Sequence, residues 1–257
     1  MSITLTTRWL GKDLAYFDSV TSTNQIASEM ASRGAPHGAV VLADAQTAGR
    51  GRYGRKWVSP NGKGLWFSVI LRPHIDARVS HQIPMLAAIS VASALRGELC
   101  LPAEIKWPND IMLYGRKICG ILAETRNGTG SIEFIVLGIG VNVNQDGDDF
   151  PPDLKESAGS LLMAAGHPFD RISVLQSILT RLETWYDIWQ ERGFSPIHRE
   201  WKIMCPLLGK TVKLIDKKEE IIGEALDVDH EGALLIKMGD GSIRRFRYGE
   251  VSLRGGP

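Results

Sequence analysis

The chain has 257 residues, 44% apolar and 23% charged, which suits one large globular domain or a large one with a small companion. Lys and Arg number 30 against 29 for Asp and Glu, so no overall field draws the molecule to nucleic acid or a membrane, and any role for positive charge is local. Three cysteines (Cys100, Cys119, Cys205) without CxxC spacing and six scattered histidines exclude a disulfide framework and a zinc site. Each cysteine reads as a small buried hydrophobe. With no secretion signal and no apolar run of about 18 residues, a cytoplasmic protein is expected.

Residues 1–13 are short and mixed. Residues 14–20 read as a strand. Thr21-Ser22-Thr23-Asn24 supplies helix N-cap residue types ahead of a helix over 25–31, which Gly34 ends. Their side chains either cap alone or also grip a polar ligand at the helix start. A second strand over 39–45 leads into the stretch 46–57, and a third over 64–71 receives it, so the two should pair. Residues 80–101 form a long apolar helix, uncharged until Arg96, buried against the sheet. In Lys106-Trp107-Pro108-Asn109-Asp110, Pro108 holds Trp107 extended and Asn109-Asp110 turns easily. The same polar residues, beside an apolar strand, could also face a pocket.

Arg116-Lys117 precedes a strand over 118–125. Asn127-Gly128-Thr129 makes a turn, and 131–143 is the hairpin partner. Gly138 and Gly140 inside a strand cost stability and mark close approach of a ligand or another backbone. Asn142 and Asn144 are expected on one face. After an acidic loop come helices over 160–164, 170–192 and 196–204, the second with Trp185, Tyr186 and Trp189 in the core. From Pro206 the texture changes to short strands over 212–215, 221–227, 233–237, 244–248 and 251–253, turning at Glu231-Gly232 and Asp240-Gly241. This reads as a small β-barrel.

The segment Gln46 to Trp57 gathers Gly49, Gly51 and Gly54 with Arg50, Arg52, Arg55 and Lys56, and no acid. Its G-x-G-x-x-G spacing lacks the helix a dinucleotide fingerprint needs, and no Gly-Lys-Ser/Thr completes a P-loop. It is either a solvated basic turn or a phosphate cradle, since arginine's planar fork matches phosphate oxygens.

Ser22-Thr23-Asn24, the 46–57 segment, Lys106-Trp107-Pro108-Asn109-Asp110, Arg116-Lys117-Ile118-Cys119-Gly120-Ile121-Leu122 and Gly138-Ile139-Gly140-Val141-Asn142 together resemble biotin protein ligases, in that family's order and at about its spacing. The resemblance covers essentially the whole chain. It implies an α+β fold: a class II aminoacyl-tRNA synthetase-like catalytic domain with a mixed sheet and packed helices over 1–205, then a small SH3-like β-barrel over 206–257.

The implied reaction activates biotin with ATP as biotinyl-5′-AMP, then transfers it to a lysine of a biotin carboxyl carrier protein. By resemblance, Lys117 lies between the biotin carboxylate and the α-phosphate, and Arg52 holds the reacting phosphate. Asp110 is the expected proton acceptor. Ser22, Thr23, Asn24, Gln46, Arg50, Gly51, Leu122, Gly138 and Gly140, with Arg52 and Lys117, are expected to contact biotin, and Ile139 and Val141 suit its apolar part. Arg52, Arg55, Trp57, Asn109, Lys117 and Asn142 are expected at the nucleotide. Mg²⁺ accompanies ATP, its site unassigned. Residues 49–57 are expected to be poorly ordered without ligand.

Some family members carry an N-terminal winged helix-turn-helix and act as repressors. Residues 1–13 leave no room for one, so the enzyme-only form is expected, with neither DNA nor membrane as a partner, as a monomer or a homodimer. A lipoate ligase would share the fold and the adenylation logic but lacks the Gly-Arg-Gly-Arg-x-Gly-Arg run. A nucleic-acid-binding module using residues 50–56 on phosphates sits poorly with the near-zero net charge.

Overall fold

A computed structural model of the chain describes residues 5–128, 131–216, 219–247 and 249–253. Seven strands, β1 (Leu14–Val20), β2 (Val40–Gln46), β3 (Gly64–Leu71), β4 (Glu104–Lys106), β5 (Asp110–Leu113), β6 (Arg116–Asn127) and β7 (Ile132–Asn142), form one mixed sheet in the order β1-β2-β3-β7-β6-β5-β4. β1 and β2 are parallel, joined by helix α1 (Thr23–Ser32), the crossover that a parallel pair requires. The other neighbours are antiparallel.

The central strand β3 is buried at every residue. Its alternation divides the molecule into two layers. Leu65, Phe67, Val69 and Leu71 enter a core shared with α2 (Gln82–Gly97) and α4 (Arg171–Arg192). Ile70 meets Ala27 and Ala31 of α1 on the opposite face. α2 is apolar almost all round, as a helix pressed between sheet and α4 must be. Each Leu or Ile it buries contributes about 1.5–3 kcal/mol.

α2 is shorter than expected at both ends. A turn at Ala77–Val79 precedes it, and after Gly97 the chain reverses through Cys100 at φ 55°, held by Arg96 Nε donating to Ala103 O at 2.6 Å. That reversal leaves Cys100 exposed, contrary to the expectation that all three cysteines are buried. Cys119 and Cys205 are buried, and burial pushes both thiols up, Cys205 to about 11.

The segment before β1 docks on α4. Both oxygens of the buried Glu183 carboxylate are used, accepting from the backbone N–H groups of Arg8 (2.8 Å), Trp9 (2.8 Å) and Leu10 (3.0 Å). Tyr186 and Trp189 are core, as expected, while Trp185 is only partly buried against it. β7 stops at Asn142, so Asn144 does not share its face; the Asn144 amide instead pairs with the Phe169 backbone at 2.8 and 2.9 Å.

Helices α3 (Leu161–Ala165) and α5 (Ser195–Met204) complete the larger layer. Strands β8 (Thr211–Asp216), β9 (Glu219–Val228), β10 (Leu234–Lys237), β11 (Ile243–Phe246) and β12 (Glu250–Leu253) form a second, antiparallel sheet in the order β11-β10-β9-β8-β12. Trp107 Nε1 donates to Gly232 O at 3.0 Å across the junction. Thr129 of the expected turn and Tyr248 of the expected strand over 244–248 lie outside the described residues.

Candidate functional site

The β6–β7 ladder pairs Gly120 with Gly140 and Leu122 with Gly138. Alternation explains Leu137-Gly138-Ile139-Gly140-Val141: Leu137, Ile139 and Val141 join the α2 core, and the glycines face the other way. That other face is the floor of a cavity of about 460 Å³. A Cβ on Gly138 would lie 2.1 Å from Asn24 Oδ1, one on Gly140 2.6 Å from Trp57 Nε1, and one on Gly120 2.9 Å from the Trp57 ring. The floor has no side chains at these points because other groups occupy the space. Val141, which the sequence suggested for an apolar ligand, is turned away by the same alternation.

One end of the cavity is polar. Ser22 is the N-cap of α1 by position, but its side chain makes no capping bond. Gln46 does that work from β2: its Oε1 accepts the Thr23 N–H at 2.8 Å and the Thr23 hydroxyl at 3.2 Å, and its Nε2 donates to Ser59 Oγ at 2.9 Å. Ser68 Oγ, from β3, lies 2.8 Å from Thr23 Oγ1 and 2.7 Å from Asn24 Oδ1. Asn24 Nδ2 donates to Glu124 Oε2 at 2.6 Å. Ser22, Thr23 and Asn24 are all buried yet line the cavity. The polar run sits where buried hydroxyls and amides can hold a polar ligand.

The other end is cationic. Lys117 Nζ lies 2.7 Å from Asp110 Oδ1 and 5.3 Å from the centroid of the Trp57 ring. Its backbone is clamped by residues 157–159, with Lys117 N–H to Ser157 O at 2.8 Å and Gly159 N–H to Lys117 O at 3.0 Å. Arg52 Nη1 donates to Asn109 Oδ1 at 2.8 Å. Asn109 Nδ2 in turn donates to Ile121 O at 2.5 Å, so β6 fixes the side chain that holds Arg52. Asn142 Nδ2 donates to Gly159 O at 2.9 Å.

Residues 49–57 form a flap over this end. Gly51 N–H bonds Arg55 O at 2.7 Å and Trp57 N–H bonds Gly49 O at 2.9 Å. Tyr53 (φ 58°) and Gly54 (φ 73°) make its tip. No helix follows Gly54, so the dinucleotide fingerprint is excluded by structure as well as by sequence. The Trp57 indole N–H is buried without a protein partner.

Of the candidates named from sequence, all but Val141 line this one cavity: Ser22, Thr23, Asn24, Gln46, Arg50, Gly51, Arg52, Arg55, Trp57, Asn109, Asp110, Lys117, Leu122, Gly138, Ile139, Gly140 and Asn142. Sequence reasoning missed Met112, Phe150, Leu154, Glu156 and Gly249, which line it too. Phe150, Leu154 and Glu156 arrive on the segment that clamps Lys117, and Gly249 arrives from the second sheet. No local pattern signals such arrivals. Among the described residues, no group of three His, Cys, Asp or Glu side chains could hold a metal ion, and no helix is long and apolar enough to cross a membrane.

A mixed sheet with a glycine floor, a polar pocket at a helix start and a cationic flap defines a ligase of the synthetase-like kind, and sequence comparison agrees. Residues 16–142 match the Biotin/lipoate A/B protein ligase family, and residues 207–254 match the Biotin protein ligase C terminal domain. The bifunctional ligase/repressor BirA of Bacillus subtilis (strain 168) is 39% identical over 249 residues, 97% of this chain and 76% of that protein. The biotin–[acetyl-CoA-carboxylase] ligase of Paracoccus denitrificans is 34% identical over 221 residues, 84% of this chain and 90% of that protein. The structure of the biotin protein ligase from Aquifex aeolicus in complex with biotin and ATP superposes with a TM-score of 0.81 at 33% identity, covering 95% of this chain and 99% of that one. The chain belongs to the biotin protein ligase family, and its larger sheet with packed helices is that family's class II aminoacyl-tRNA synthetase-like catalytic fold.

Proposed function

We propose that this chain is an ATP-dependent ligase that activates biotin as biotinyl-5′-AMP and transfers it to a specific lysine of a biotin carboxyl carrier protein. The supporting observation is that one cavity joins a polar pocket, a side-chain-free floor and a cluster of cations. The Aquifex aeolicus relative was solved with biotin and ATP.

In the first step the biotin carboxylate attacks the α-phosphorus of ATP and pyrophosphate leaves. Two like unit charges 4 Å apart repel by about 4 kcal/mol at an effective dielectric near 20. Lys117, Arg50, Arg52 and Arg55 offset this, with Lys117 between the two reacting anions and Arg52 on the α-phosphate. Asn109 and Asn142 orient the nucleotide, and Trp57 offers it a ring face and a free N–H. Ser22, Thr23, Asn24 and Gln46 meet the ureido group, while Leu122, Gly138 and Gly140 accommodate the apolar ring and tail. Mg²⁺, brought in with ATP, would supply charge neutralisation for the departing pyrophosphate, and among the described residues no group of three His, Cys, Asp or Glu side chains would hold it.

In the second step a carrier lysine attacks the mixed anhydride, and AMP leaves. Lysine's reference pKa is near 10.4, so an acceptor for its proton is needed. Asp110 takes that role. In the free protein its pairing with Lys117 keeps both groups in place until substrate anions claim Lys117. Closure of residues 49–57 keeps water from the anhydride between the steps. The catalytic unit is residues 1–205 and the C-terminal unit, SH3-like, residues 206–257. The enzyme acts in the cytoplasm without DNA as a partner.

The test is label transfer from biotin, with MgATP, to a biotin-accepting carrier domain. Arg52→Ala and Lys117→Ala should each lower transfer by about 100-fold or more, the scale for losing one charge-stabilising group. Unchanged transfer in both would remove the mechanism. Biotin with ATP should raise the melting temperature strongly, whereas a rise with duplex DNA alone would favour the nucleic-acid reading.

A further inference from the structure

Gly120 and Leu122 face the cavity from β6, and strand alternation makes Glu124 the next residue on that face. It pairs with Val136, two steps along β7 from Gly138. Because Gly138 has no side chain, Asn24 can press against the floor there and reach Glu124. The two carboxylate oxygens then diverge. Oε2 accepts from Asn24 Nδ2 at 2.6 Å, while Oε1 faces Arg50 Nη2 at 3.8 Å. Asn24 belongs to the polar pocket and Arg50 to the flap.

We infer that Glu124 is a positioning residue that couples occupancy of the polar pocket to closure of the flap. This presupposes the biotin-activating role proposed above. The Asn24 contact is a short hydrogen bond to a charged acceptor. The Arg50 contact is half-exposed and longer than a hydrogen bond, so water screens it and it holds the flap weakly. Closing by about 1 Å brings the guanidinium to charge-assisted hydrogen-bond length, and expelling water strengthens the pair. A ligand that fixes Asn24 fixes the carboxylate, and the carboxylate then waits in place for Arg50. A single-acceptor side chain cannot do both tasks. Glu124 thus acts through Asn24 and Arg50, not on the reacting atoms.

The experiment uses the full chain and two readouts: biotin-dependent pyrophosphate release, and tryptic cleavage of the flap, whose Arg50, Arg52, Arg55 and Lys56 are trypsin sites. For Glu124→Gln, the KM for biotin should rise by about 10-fold with kcat within about two-fold, the pattern for lost binding. Biotin and ATP should protect the flap less than in the parent protein. In an Arg50→Met background, Glu124→Gln should add less than about two-fold, because coupled residues are non-additive. Parental KM and parental protection in Glu124→Gln would overturn the inference, as would effects of the two changes that simply multiply. Should Glu124→Gln fail to fold, Arg50→Met reads the exposed end of the link, and an unchanged KM there overturns it too. A parent protein that releases no pyrophosphate with biotin would instead sink the function proposed above.

Discussion

The floor and the flap of this cavity are built on opposite principles. The floor is two paired strands whose outward side chains have been removed at Gly120, Gly138 and Gly140, with their backs anchored in the largest core. The flap is a short glycine-bearing turn whose Arg55 and Lys56 are exposed and whose hold on the sheet runs through polar contacts such as Arg52 to Asn109 and through the single Trp57 ring laid over Gly120 and Gly140. A rigid floor sets shape, and a polar flap can move without unpacking a core. A methyl group added to each should therefore give different outcomes.

The largest effect belongs to Gly138→Ala. Its new Cβ falls 2.1 Å from Asn24 Oδ1, and Asn24 is buried and bonded on both sides of its amide. The overlap costs about 1–3 kcal/mol, lowering the melting temperature by roughly 2–4 °C per kcal/mol. It also dislodges the polar pocket, so the KM for biotin should rise by about 100-fold, 2.7 kcal/mol on the usual scale. Parental biotin kinetics in this variant would show that the floor is not tightly filled.

Acid probes the frame behind the floor. Burial and then the nearby Arg72 hold the His37 pKa down, and burial does the same for His81. Both fold neutral: the Arg72 N–H donates to His37 Nδ1 at 3.0 Å, and His81 Nε2 is buried without a partner. A depressed folded pKa gives stability that is full above the unfolded value, about 6.5 for histidine, and is lost as pH falls below it. Glu183 adds a second, lower window. Burial alone would raise its pKa, but the backbone N–H groups of Leu10, Arg8 and Trp9, with the Arg8 guanidinium, bring it below the ordinary range. Its contribution is present above about 4.3 and disappears as pH falls through the lower folded value. Melting temperature should decline from pH 7 to pH 5 and again below pH 4. Glu183→Gln should make the lower decline shallower without abolishing it, since Asp229, Asp170 and other paired carboxylates are also held below their ordinary range, and a parent curve flat from pH 7 to pH 4 would refute the account.

Gly140→Ala should be milder for stability. Its Cβ would meet Trp57 Nε1 at 2.6 Å, but Trp57 is carried by the flap and can lift. A melting temperature within about 2 °C of the parent, less than 1 kcal/mol, is expected, with the KM for ATP raised by about 10-fold. Equal damage to stability by Gly138→Ala and Gly140→Ala, measured side by side, would erase the distinction between floor and flap.

How much of this was legible in the sequence follows the same division. The floor could be read in part, because the alternation of Leu137-Gly138-Ile139-Gly140-Val141 is a local signal of close approach, though by a ligand or by another backbone, and the expected strand over 64–71 matches β3 to the residue. The flap taken alone read equally as a solvated basic turn, and only its place among the other motifs of the family resemblance marked it as a phosphate cradle. What escaped was long-range. Gln46 capping α1 from another strand, Glu183 gathering the segment before β1, and Phe150 with Leu154 entering the cavity all depend on tertiary docking. Glu124 is intermediate. It sits inside the expected strand over 118–125, but nothing in the sequence singles it out, because its partner Asn24 is 100 residues away.

The smallest expected effect is on the stability of Arg50→Met. Arg50 and Glu124 are 50% and 44% exposed and their charges stand 3.8 Å apart, a solvent-screened pair contributing about 0–1 kcal/mol. Methionine keeps most of the apolar stem, so packing loss is slight. The melting temperature without ligand should move by no more than about 2 °C. With biotin and ATP present the parent should be stabilised more than the variant, because only a closed flap shields the pair from water. A large loss without ligand would mean that Arg50 already bears on the folded frame, and the flap would then be as much a structural part as the floor beneath it.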